Sequence, residues 1–169
     1  MKEWIQEEHR EQKAYAGADG EAVPQEFKEA RNKGLYYLQF SGKTENEMRK
    51  KLAEQEFSPA SVEDAVLFLK HYRYLDDEDY ARRYVERNGH KKSIRQMKFD
   101  LRQKGVADDL VELVFEEMEV DETSQIMGLL KKKAYDPEAA DPAKRQKIYA
   151  FLSRKGFSYD AINSAMKQW

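Results

Sequence analysis

Three stretches of the chain can be laid over one another without a gap: Met48 to Val66, MRKKLAEQEFSPASVEDAV; Met97 to Phe115, MKFDLRQKGVADDLVELVF; and Ile148 to Met166, IYAFLSRKGFSYDAINSAM. Their matched columns are apolar. Met48, Met97 and Ile148 align, followed by Leu52, Leu101 and Leu152, then Phe57, Val106 and Phe157, then Val62, Val111 and Ile162, and finally Val66, Phe115 and Met166. The first two columns lie one helical turn apart, as do the last two, and the third falls between them. Each stretch therefore reads as a helical hairpin closing on a small core of its own. Gly105 and Gly156 stand at the turn, where a left-handed residue ends a helix at low cost. Glu56 holds that position in the first stretch and breaks the pattern.

Outward from the hairpins, a further helix precedes each one, at about residues 25–40, 77–88 and 122–134. Period-two alternation is nearly absent and apolar residues recur at three and four. The expected fold is all-α: three tandem three-helix, helix-turn-helix-like repeats in an elongated, curved arrangement. The repeats fall at 25–74, 75–119 and 120–169, after a lead of residues 1–24 that reads as helical or flexible. Start signals support the boundaries. Thr44 to Glu47 spells a capping box, and Ser58 with Pro59 and Asp141 with Pro142 each place a cap before a first-turn proline.

Composition narrows the function classes. Apolar residues make up 40% of the 169, enough for a core, while 37% are charged and the mean hydropathy of the chain is -0.95, which suits a large surface. With no cysteine, neither a disulfide framework nor a thiolate zinc site can form. The longest apolar run, Ala65 to Leu69, is far too short for a bilayer, and the amino terminus lacks a signal-peptide core. A cytoplasmic protein without membrane attachment is expected.

Residues 76–79, DDED, could be a metal-binding carboxylate cluster or a helix start. They immediately precede the apolar set Tyr80, Ala81, Tyr84 and Val85, and acids in a first turn meet free N–H groups and the positive end of the helix dipole. Successive residues on one turn also point in different directions rather than converging on an ion. The helix-start reading is preferred, and no catalytic residue, metal or cofactor is expected.

Charge along the chain is uneven although the net value is only -2. Between Arg82 and Lys104 there are nine Lys or Arg against two acids; between Asp108 and Glu122 there are eight acids and no base. A basic side and an acidic side are the natural expectation. On the helix of residues 91–104, Lys91, Arg95, Lys98 and Arg102 form a line beside the packing stripe of Ile94, Met97 and Leu101. Those four positions contain no acid for i, i+4 pairing, so they suggest a polyanionic or acidic partner. A directly DNA-binding helix-turn-helix protein is the alternative reading; the absence of a base-reading cluster at a helix start favours nonspecific phosphate contact in that case.

The stretch YLDDEDYARRYVERN at 74–88, followed by SIRQMKFDLRQKGV at 93–106, resembles the RecX family, and FLSRKGFSYDAI at 151–162 is similar to that family's last repeat. The resemblance covers about residues 33–169. It implies a regulator without catalysis that binds the RecA recombinase on single-stranded DNA, restraining ATP hydrolysis and strand exchange in recombination, DNA repair and the SOS response. Contacts with single- or double-stranded DNA through phosphates are a further expectation. Charge and helical position select Arg82, Arg83, Arg87, Lys91, Lys92, Arg95, Lys98 and Arg102 as the residues that would meet recombinase carboxylates or DNA phosphate. Phe40, Ser41 and Glu56 depart from the family's pattern in the first repeat.

Overall fold

The computed structural model describes residues 23–169, so most of the expected lead, residues 1–22, lies outside the described residues. Among them every regular element is helical: α1 Gln25–Phe40, α2 Glu45–Ala53, α3 Pro59–His71, α4 Asp77–Asn88, α5 Ile94–Gln103, α6 Asp108–Glu117, α7 Glu122–Lys132, α8 Pro142–Arg154 and α9 Tyr159–Gln168. No described helix is long and apolar enough to cross a membrane.

The caps act as the sequence suggests. Ser58, Asp76, Asp121, Asp141 and Ser158 each accept a hydrogen bond from the backbone N–H three residues on. At Thr44 the box is reciprocal: Glu47 N–H donates to the threonine hydroxyl at 3.1 Å, and Thr44 N–H donates to the Glu47 carboxylate at 3.2 Å. Capping of this kind contributes on the order of 1 kcal/mol per helix, so it places the helix ends while the cores supply most of the stability.

Three cores follow the three triplets. Met48, Leu52, Val66 and Leu69 belong to the first, Val85, Met97, Leu101 and Val111 to the second, and Ile126, Leu130, Leu152 and Ile162 to the third. In each triplet the first helix packs chiefly on the third: α1 on α3, α4 on α6 and α7 on α9. Gly34 permits close approach in the first triplet, where a Cβ would stand 2.7 Å from Leu69 Cδ1.

The described chain divides into two compact units. One holds residues up to Lys43 together with Met48–Leu75; the other holds Thr44–Glu47 and Asp76–Trp169. Inside the second unit one arrangement occurs twice. The Thr44 hydroxyl donates to Lys104 C=O at 2.6 Å, and the Ser93 hydroxyl donates to Lys155 C=O at 2.9 Å. Beside them, Glu45 N–H donates to Asp77 Oδ1 and Ile94 N–H to Glu122 Oε1, both at 2.8 Å. Each buried cap hydroxyl thus accepts from its own helix and donates to a turn carbonyl, and a carboxylate at the start of another helix takes one of the free N–H groups.

The glycine after each of those carbonyls is dictated by the same contact. Gly105 and Gly156 have φ of 84° and 93°, and a Cβ added to them would lie 2.4 Å from Asn46 Cβ and 2.5 Å from Ser93 Oγ. Glu56 occupies the equivalent turn of the first triplet with φ 62° and is exposed. A side chain survives there at the cost of the dihedral alone.

Candidate functional site: the cationic face of the second unit

The acids of residues 76–79 are each engaged where α4 begins. Asp76 caps the helix, its Oδ1 accepting from Asp79 N–H at 3.0 Å, and Asp77 accepts from Glu45 N–H. Glu78 pairs with Arg82 at 2.7 Å and Asp79 with Arg83 at 2.9 Å, both one turn along the helix. Among the described residues no three His, Asp or Glu side chains are grouped to hold a metal ion.

Of the eight cations selected from the sequence, five have carboxylate partners. Arg82 bonds Glu117 as well as Glu78, and the two hydrogen bonds raise its already high pKa further. Arg83 pairs with Asp79, and Lys92 meets Asp100 at 2.7 Å. Lys98 bonds Glu112, and Arg102 reaches Asp108 at 2.6 Å and Glu112 at 2.8 Å. The expected unpaired row therefore holds for acids on α5 but fails for Lys98 and Arg102. The hairpin brings α6 alongside α5, and acids of the 108–122 stretch neutralise cations of the 82–104 stretch. Segregation into a basic and an acidic side is correspondingly incomplete.

Arg87, Lys91 and Arg95 remain exposed without a carboxylate partner among the described residues; Arg87 donates only to the Arg83 carbonyl, at 3.2 Å. Phe99, one turn beyond Arg95, is 55% exposed. Lys132, Lys133 and Lys155 of the third triplet are exposed too and equally lack carboxylates among the described residues. The Lys133 and Lys155 ammonium groups lie 4.8 and 5.5 Å from the Phe151 ring centroid, where the π face partly offsets their mutual repulsion. Lys91, Lys132 and Lys155 line one groove. Reading the sequence missed Lys132 and Lys155: the run Lys131–Lys132–Lys133 is visible, but nothing local links it to a turn lysine and to Lys91.

A three-membered network fixes the inner edge of this face. Lys92 Nζ donates to Tyr84 Oη at 2.8 Å and to Asp100 Oδ2, and Tyr84 O–H donates to the same oxygen at 2.7 Å. Burial works to raise the Asp100 pKa, yet hydrogen bonds from Lys92, Tyr84 and Gln96 together hold it below the ordinary value. The Lys92 pKa is raised, first by Asp100 and then by Tyr84. A carboxylate with a depressed folded-state pKa contributes fully above its unfolded value, about 3.9, and loses that contribution as pH falls through the folded value. A lysine with a raised pKa contributes fully below about 10.4 and loses its share as pH rises through the folded value. Urea midpoints of the wild type and Asp100→Asn should accordingly differ by a constant amount near neutral pH and converge in acid, as pH falls through the depressed folded-state value. A gap that persists in acid would assign the difference to packing instead.

Comparison with known proteins follows the repeats. Models of the first, second and third three-helix domains of RecX match residues 30–69, 76–114 and 120–166. The Regulatory protein RecX of Clostridium perfringens strain 13 is 31% identical over 147 residues, covering 85% of this chain and 69% of that protein. That of Bacillus subtilis strain 168 is 30% identical over 152 residues, covering 85% of this chain and 56% of its own length. The crystal structure of RecX from Lactobacillus salivarius has the same fold, with a TM-score of 0.76 at 23% identity over 86% of this chain and 97% of that one.

Proposed function

This chain belongs to the RecX family, and from that membership together with the charge map of the second unit we propose that it is a regulator of the RecA recombinase. In this reading it binds the RecA filament on single-stranded DNA in the cytoplasm, restrains ATP hydrolysis and strand exchange, and performs no catalysis of its own. Such a role bears on recombination, DNA repair and the SOS response. The observation that carries the reading is the set of exposed cations without carboxylate partners among the described residues, Arg87, Lys91 and Arg95 on one triplet and Lys132 and Lys155 on the next. Cations already satisfied internally, Lys98 and Arg102 among them, would have to exchange partners before meeting recombinase carboxylates or DNA phosphate. The uncompensated ones attract such groups from a distance comparable to a Debye length, about 8 Å at physiological salt.

The test is RecA ATPase on single-stranded DNA, titrated with this protein at several salt concentrations. Wild-type protein should suppress turnover. The Arg87→Glu, Lys91→Glu, Arg95→Glu variant should need about tenfold more protein for half suppression, with the gap narrowing as salt rises. Helicity should be unchanged because all three side chains are exposed. Equal potency of the variant would remove these residues from the interface. If the variant loses binding to naked single-stranded DNA in the same proportion, the face acts on phosphate rather than on recombinase.

A further inference from the structure

Two grooves of opposite sign meet in the second unit. The first, about 310 Å³ in volume, is lined by Lys91, Lys132 and Lys155 together with Gly128 and Leu129. A Cβ placed on Gly128 would meet no atom within 4 Å, so the α7 backbone is open to a close neighbour there. The second groove, about 550 Å³, combines the acids Glu86, Glu119 and Asp121 with apolar Val85, Met118 and Val120. His90, Ser124 and Gln125 line both. On that shared wall the Gln125 amide donates to Gly89 C=O, while its Oε1 is buried with no donor among the described residues.

The pairing of signs decides what fits. A nucleic-acid strand drawn into the lysine groove would continue past the shared wall onto Glu86, Glu119 and Asp121, where phosphate meets like charge. Phosphate also has no N–H to offer Gln125. A peptide can reverse its charge within a few residues, carries apolar side chains for Val85, Met118 and Val120, and presents an amide N–H at every residue. We propose that the joined grooves bind an extended peptide segment of a partner protein, its acidic residues among Lys91, Lys132 and Lys155 and its apolar and basic residues among Glu86, Glu119 and Met118. This deepens, and rests on, the reading of the chain as a regulator that binds a protein.

Fluorescence anisotropy at about 0.15 M salt tests the proposal with labelled probes of about 12 residues. Two carry a Glu block followed or preceded by a Leu-Lys block, one has the same composition with the residues alternating, one is all Glu, and single-stranded oligothymidine of similar reach completes the set. One of the two block peptides should bind about tenfold or more tightly than every other probe. Lys132→Glu and Glu119→Lys, both at exposed positions, should each weaken that binding about fivefold or more, with Lys144→Glu leaving it unchanged. Equal binding of the alternating peptide, or tighter binding of the all-Glu peptide or the oligothymidine, would overturn the proposal. The same variants in the RecA ATPase assay separate the two readings. Peptide binding lost with suppression intact supports the groove and places recombinase contact elsewhere; no peptide binding by wild-type protein that still suppresses RecA overturns the groove alone.

Discussion

Replacing Gly156 by Ala should lower stability by about 2–4 kcal/mol, an effect far beyond what one methyl group at a turn normally causes. Two costs combine. At φ 93° an alanine lies in a region that non-glycine residues enter at about 1–3 kcal/mol. Its Cβ would also stand 2.5 Å from the Ser93 hydroxyl, which is itself committed to Lys155 C=O and Gln96 N–H. Pushing that hydroxyl aside breaks both bonds of a buried side chain and takes the Lys155 carbonyl's donor away, for about 1 kcal/mol or more. A double-mutant cycle with Ser93→Ala separates the terms, because removing the hydroxyl makes room for the new methyl. The pair should be less destabilised than the sum of the singles by about 1 kcal/mol, leaving the dihedral cost. Glu56→Gly is the converse: with an exposed side chain at φ 62° it should be neutral or stabilising by up to about 1 kcal/mol. Additive effects at Ser93 and Gly156, measured by urea midpoints at constant slope, would mean that the clash is relieved without touching the hydrogen bond.

The same turn shows what a sequence can carry and where it goes silent. Glycine at 105 and 156 reads as a helix end from local rules alone, and that is correct. The second reason for glycine there is invisible locally, because Asn46 and Ser93 lie on other triplets. Helix starts were legible for the same reason that they are local: Asp76, Ser58 and Asp141 answer N–H groups three residues away. The triplets were legible through the repetition of Met48, Leu52, Val62 and their counterparts, each column buried because the same hairpin is built three times.

Charge pairing was the least legible feature. Lys98 and Arg102 lack acids at i, i+4, and from the helix alone they look uncompensated; Glu112 and Asp108 become their partners only once α5 and α6 fold back on one another. Alternation of a cationic segment and an acidic one is thus ambiguous between two poles and a zipper. The hairpin geometry resolves it mostly in favour of the zipper, which moves attention to Arg87, Lys91 and Arg95 and to lysines of the next triplet. Sequence order gives no means of joining Lys91, Lys132 and Lys155, since they come from a loop, the last turn of α7 and the turn of the third hairpin.

Asp64→Ala should be the most damaging charge substitution in the described chain, at about 3–5 kcal/mol. Arg31 on α1 is 5% exposed, and its Nε and Nη2 meet the two Asp64 oxygens of α3 at 2.6 and 2.7 Å, while its guanidinium lies 4.8 Å from the Phe68 ring centroid. Unlike the exposed pairs of the second unit, this one is largely out of water. Losing the carboxylate removes the bidentate acceptor of a guanidinium that lies over the Phe68 ring, and replacing those two bonds with water means parting α1 from α3. Much of the penalty comes from a buried charge that has lost its two shortest hydrogen bonds, so Arg31→Met combined with Asp64→Leu should recover part of it. Hydrogen exchange locates the effect: in Asp64→Ala, protection should fall across α1 and α3 while α7 and α9 keep theirs, and the double variant should restore it. A loss below about 1 kcal/mol for Asp64→Ala would mean that Arg31 finds solvent by a small rotation, as surface pairs do.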